Sequence, residues 1–111
     1  MKIFRTYLLV ILLSLLSYTA FVGINHGWNL MPIFFADIAR AGWPGQFNYD
    51  FMLMLTLSAS WTMWRNRFST KGLALGVLAL FGGSLFLSIY LLFLSVKHQG
   101  QMRAVLLGEQ A

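Results

Sequence analysis

Five side chains are candidates to combine for acid-base or metal chemistry in this chain: His26, Asp37, Arg40, Asp50 and His98. Brought together they would form a polar cluster with Asp50 as acceptor, Arg40 as its ionic partner and the two histidines as proton carriers or metal ligands. A structural reading stands beside that one. Asp50 follows Asn48 closely enough to sit in the first turn of a helix capped by Asn48, where a carboxylate is favoured by the helix dipole, with Arg40 as a salt-bridge partner. The two histidines are far apart in sequence and have no metal-ligand spacing, so no metal site and no catalytic residue are assigned. The chain has no Cys, which removes disulfides, thiolate metal sites, iron–sulfur clusters and cysteine nucleophiles together. Its serines lack the GxSxG surroundings of a hydrolase.

The elements that must position these groups are apolar. The chain has 111 residues, 59% hydrophobic and 10% charged, where a soluble domain carries about a quarter charged residues. The uncharged residues lie in long runs. Residues 6–25 form one, reaching ~30 Å as a helix, the thickness of a bilayer core. A second span is expected over 47–64 and a third over 72–96, with a short interfacial helix over 30–41 and a polar tail over 97–111. The expected fold is therefore all-α: a single membrane domain, an integral bundle of three transmembrane helices.

Trp28, Trp43, Trp61 and Trp64 stand near the ends of these segments and read as interface anchors. Hydroxyls are the only polar groups inside the spans. Gly72 with Gly76, continued by Ser84 and Ser88, makes a stripe of small residues suited to close helix packing. No Asp, Glu, Lys or Arg lies mid-span, which argues against an ion-coupled pump. The six Met and the four Trp, four Tyr and ten Phe are compatible with contact to lipid, quinone or pigment, and no cofactor is predicted.

Charge supplies an orientation. The net +5 comes from eight Lys and Arg against Asp37, Asp50 and Glu109. In a three-span layout Lys2, Arg5, Arg65, Arg67 and Lys71 fall on one side without an acid. Arg40, Lys97 and Arg103 fall on the other with all three acids. The positive-inside rule then places the amino terminus in the cytoplasm and the carboxyl terminus outside. No basic stripe with interleaved aromatics points to nucleic acid.

The stretch GWNLMPIFFADIARAGWPGQFNYDFMLML, residues 27–55, places a proline, two aromatics and an acid before an aromatic and Asp at the head of a span. Through Pro32, Phe34, Phe35, Phe47 and Asp50 it resembles a family of small three-span bacterial inner-membrane proteins known only as a domain of unknown function. The resemblance implies a bacterial inner membrane and no activity. The expectation from the residues is a non-enzymatic accessory or assembly subunit, with membrane lipids and a membrane-protein partner or a second copy as its contacts. An oligomeric small transporter or channel, and an intramembrane enzyme on a lipid or isoprenoid, are the alternatives.

Overall fold

The computed structural model describes residues 2–108; Glu109, counted above among the acids, lies outside them. The described residues are helical with no strand: α1 (Lys2–His26), α2 (Met31–Ala39), α3 (Trp43–Arg65), α4 (Thr70–Lys97) and α5 (Met102–Leu107). Two of them, α1 and α4, are long and apolar enough to cross a membrane by length and composition, in place of the three spans expected. The 47–64 stretch lies within α3, which begins earlier, at Trp43, with Gly42 as N-cap and Pro44 in its first turn. That earlier start draws Gln46 and Asn48 into the helix body beside Asp50, and the three polar side chains dilute its apolar character. Asn48 therefore does not cap. Its side-chain amide donates to the Phe34 carbonyl at 3.2 Å and ties α3 to α2.

α2 is shorter than expected and starts without a side-chain cap; Pro32 occupies its first turn. It lies close against the start of α3. A Cβ on Gly45 would meet the backbone of Asp37 and Ile38, so only a glycine allows this approach. Ser69 caps α4 by accepting from the Gly72 amide at 3.1 Å.

The largest departure from expectation lies inside α4. Gly83 has φ 56 and ψ −141, a backbone state that L side chains rarely adopt, and it breaks the helix into limbs of residues 70–82 and 84–97. Contacts on either side show that the chain reverses there. Asn66 packs on Gly72 at the start of the first limb, and the same Asn66 donates to the Tyr90 hydroxyl at 3.0 Å. Arg65 reaches His98 at 3.2 Å. A straight helix would hold residues 72 and 98 about 39 Å apart, beyond the reach of neighbours in sequence such as Arg65 and Asn66. The residues expected to form a third crossing, 72–96, are thus a helical hairpin of two limbs, each about 20 Å long.

The hairpin holds the fold together. Its first limb runs antiparallel to α3, with Gly76 against Met63 and Gly83 against Phe51 and Leu55. The second limb packs on α1, antiparallel, where Phe4, Leu8 and Ile11 face Leu91, Ser88 and Ser84. Arg5 fastens this seam by donating to the Ser95 hydroxyl at 3.1 Å and its carbonyl at 2.9 Å. The break also parts the small-residue stripe: Gly72 and Gly76 serve the α3 contact, and Ser84 and Ser88 face α1. Several hydroxyls within the helices bond to their own backbone three or four residues back, as Ser17 does to Leu13 and Thr62 to Ser58, which makes them tolerable among apolar neighbours; the buried Ser58 hydroxyl makes no such bond.

Candidate functional site

The five chemistry-bearing residues do not converge. His26 ends α1, exposed, and Asp50 is exposed in the second turn of α3. Arg40 pairs with Asp37 at 3.6 Å, one turn away on the same segment, and not with Asp50. This pair is largely open to solvent on the arginine side, so it adds little stability. His98 lies at the other end of the molecule, beside Arg65, which stands fifteen residues and about 22 Å along α3 from Asp50. Its separation from the rest follows from the reversal at Gly83, which returns the end of α4 to the level of the α3 carboxyl terminus. Among the described residues no group of three or more potential metal ligands is formed.

A more organised arrangement sits at that second end. Arg65 is 4% exposed and its guanidinium is spread over four partners. Nε donates to the Val105 carbonyl, Nη2 to the Ala104 carbonyl at 3.0 Å and to His98 Nε2, and Nη1 to the Tyr90 hydroxyl at 3.3 Å. The Trp61 indole donates to the Leu106 carbonyl at 3.0 Å. Val105 and Leu106 belong to the last turn of α5, whose carbonyls lack helical partners, and the Ala104 carbonyl one position earlier accepts only the Gly108 amide from its own chain segment. Arg65 and Trp61 therefore cap α5 from outside, and the negative end of its dipole balances part of the buried positive charge. Val105, fully buried, anchors the same helix against Tyr90 and Leu94. Trp61 meets the Tyr90 ring edge-on with centroids 6.1 Å apart, and Phe86 stacks on Tyr90 at 5.4 Å.

Trp61 thus has an internal task. Trp28 lies over Gly23, and Trp43 sits 6.2 Å from the Phe47 ring, both highly exposed at the far end; Trp64 is partly exposed on α3.

Because an arginine N–H only donates, His98 Nε2 is the acceptor and its proton sits on Nδ1. Burial, followed by the positive charges of Arg65 and Lys97, holds the His98 pKa below the ordinary histidine value. The imidazole is accordingly neutral near pH 7.

Beside this cluster a cavity of about 560 Å³ opens between the two limbs of α4 and the end of α3. Arg65, Lys71, Lys97 and His98 line its outer part, and Leu75, Ile89 and Phe93 its inner part. Lys97 also stands 6.0 Å over the Phe93 ring. Lys2 and Arg5 at the start of α1, Arg67, and Arg103 on α5 belong to the same end by their neighbours, so of the eight Lys and Arg only Arg40 is at the other. No described residue at the basic end is acidic; Asp37 and Asp50 both belong to the α2–α3 end. Such an end attracts anions, and the Nε2 of its neutral imidazole is already engaged by Arg65.

These residues were missed in the sequence for one reason. Arg65, Lys71 and Lys97 read as markers of span ends, and Lys97 was assigned to the opposite face. The Gly82-Gly83 pair inside the apolar run, a turn signal, is what brings Lys97 and His98 back. No protein-family model, curated protein or solved structure matches the chain.

Proposed function

We propose that the chain is a non-enzymatic integral protein of the bacterial inner membrane that acts through helix contacts, as an accessory or assembly subunit of a membrane complex. The observation that carries this reading is the bareness of α1. Of its 25 residues only Leu8 and Gly23 are buried, while Val10, Leu13, Leu16, Phe21 and Ile24 are exposed. A surface of that kind is unfavourable in water, and is stable against lipid or against another apolar helix. α1 packs on one limb of α4 and leaves its other sides to such neighbours.

In this reading α1 and α3 cross the membrane, and the hairpin enters from the basic end and returns to it. Limbs of about 20 Å fall short of a bilayer core of about 30 Å, and the buried tip at Gly83 is shielded by Phe51 and Leu55. The concentration of basic residues supports a cytoplasmic position for that end. Both the start of α1 and α5 then face the cytoplasm, a revision of the outward carboxyl terminus expected from three crossings.

An enzyme acting on a lipid or isoprenoid at the far end needs Asp50, Asp37 and His26 in one constellation. Among the described residues Asp37 pairs with Arg40 instead. The test of the accessory role is the mass of the protein extracted from its native membrane in mild detergent. An assembly of fixed stoichiometry, with a second protein or further copies, is expected. A monomer alone would overturn the role.

A further inference from the structure

The cavity between the limbs is graded from charge to hydrocarbon along its depth. Lys71 opens the first limb and Lys97 closes the second, so the two ammonium groups bracket the mouth from opposite strands of the hairpin. Arg65 behind them adds a buried positive charge with no carboxylate among its described partners. The amino terminus of α4 adds the positive end of a helix dipole at Ser69 and Lys71, both of which line the cavity. One turn deeper stand Leu75 and Phe93, and two turns deeper Ile89, about 6 and 12 Å below the lysines by helical rise. Ile89 and Phe93 are about half exposed, an apolar wall with nothing packed over it.

A free inorganic anion would use the mouth and leave that wall bare; an apolar ligand would leave the lysines unpaired. A molecule with a phosphate at one end and hydrocarbon at the other satisfies both. We propose that this cavity is a binding site for an anionic phospholipid of the surrounding leaflet. Lys71 and Lys97 contact the phosphate, and Leu75, Ile89 and Phe93 contact the first methylenes of an acyl chain. Arg65, with its hydrogen bonds committed to α5, Tyr90 and His98, contributes charge and not direct contact. The site rests on the membrane reading above and is independent of the accessory role.

The test uses the full-length protein reconstituted in vesicles of equimolar phosphatidylglycerol and phosphatidylcholine, then released into detergent, with retained lipids counted by native mass spectrometry. Retention of phosphatidylglycerol over phosphatidylcholine by about twenty-five-fold is expected, the product of two lysine contacts of about fivefold each. The double variant K71Q/K97Q should retain the two lipids nearly equally. The control K2Q/R103Q removes the same charge from the same end outside the cavity and should keep the preference. Equal loss in both variants, or no preference in the parent protein, overturns the site. Displacement of the lipid by millimolar inorganic phosphate overturns it in favour of a soluble anion. Failure of the protein to sediment with vesicles overturns the membrane reading itself, and is seen before any lipid is counted. Circular dichroism of both variants confirms that helix content is kept.

Discussion

Arg65 joins three elements: it ends α3, caps α5, and touches Tyr90 and His98 at the second limb of α4. Replacing it by Met removes the side-chain donor to the Val105 carbonyl and leaves the Ala104 carbonyl with the Gly108 amide alone. The expected loss is about 3 kcal/mol of stability. Hydrogen exchange should show amides 102–107 unprotected while those of α1 and α3 stay slow. Arg65→Lys keeps the charge but not the fork of donors, and should fall between the two. His98 gives a pH dependence of definite sign. Its folded pKa lies below the unfolded value of about 6.5, so between the two the unfolded chain holds a proton that the folded one lacks. The stability from neutral His98 is complete above about 6.5 and is lost as pH falls through the folded value. Thermal unfolding in detergent from pH 7.5 to 5 should show this decline in the parent protein and a flatter profile in His98→Gln. Neither role is readable from residue type alone. A basic residue after an apolar run has the same appearance whether it meets lipid head groups or caps a helix forty residues further on.

At the scale of elements the hairpin is decided by one position. Gly83→Ala places a Cβ at φ 56 and 3.0 Å from the Phe51 ring. The expected cost is about 1–3 kcal/mol, measured by thermal melting. The fold-back itself is open to spectroscopy, since the chain has no native Cys. Spin labels at Lys71→Cys and Lys97→Cys should lie within about 20 Å, against about 39 Å for an unbroken helix. Helical character was legible throughout, because apolar runs, Pro32 and Pro44 in first turns and the polar residues at run ends all mark helices locally. Direction was not. Hydropathy sums residues over a window and is blind to a reversal inside it, so 72–96 scores as a crossing whether straight or folded. The Gly82-Gly83 pair holds the missing information: the reversal there carries Lys97 and His98 to the Arg65 end, away from His26, Asp37, Arg40 and Asp50.

For the whole molecule the consequence is a polarity sharper than the charge count suggested, with basic residues at one end and Asp37 and Asp50 at the other. Single cysteines at Lys2, Arg103 and Trp43 test its placement in the membrane. In intact spheroplasts an impermeant thiol reagent should label the Trp43 position and spare the other two. Labelling at Arg103 but not Lys2 would return the chain to an odd number of crossings. The long principal axis of 43 Å is enough for a bilayer core with both ends wet.

The hairpin also dictates an order of events during synthesis. The packing partner of α1 is the second limb of α4, and the Arg5 contacts to Ser95 join residues ninety positions apart. α1 therefore waits without a partner while α2, α3 and the first limb are made, and the fold can close only when the last apolar segment has left the ribosome. Contacts of such separation are slow to form, because the entropy of a long loop is lost before they are gained. Truncated chains ending before Ser84 should leave α1 exposed to degradation, and full-length chains should acquire protease resistance in a single late step.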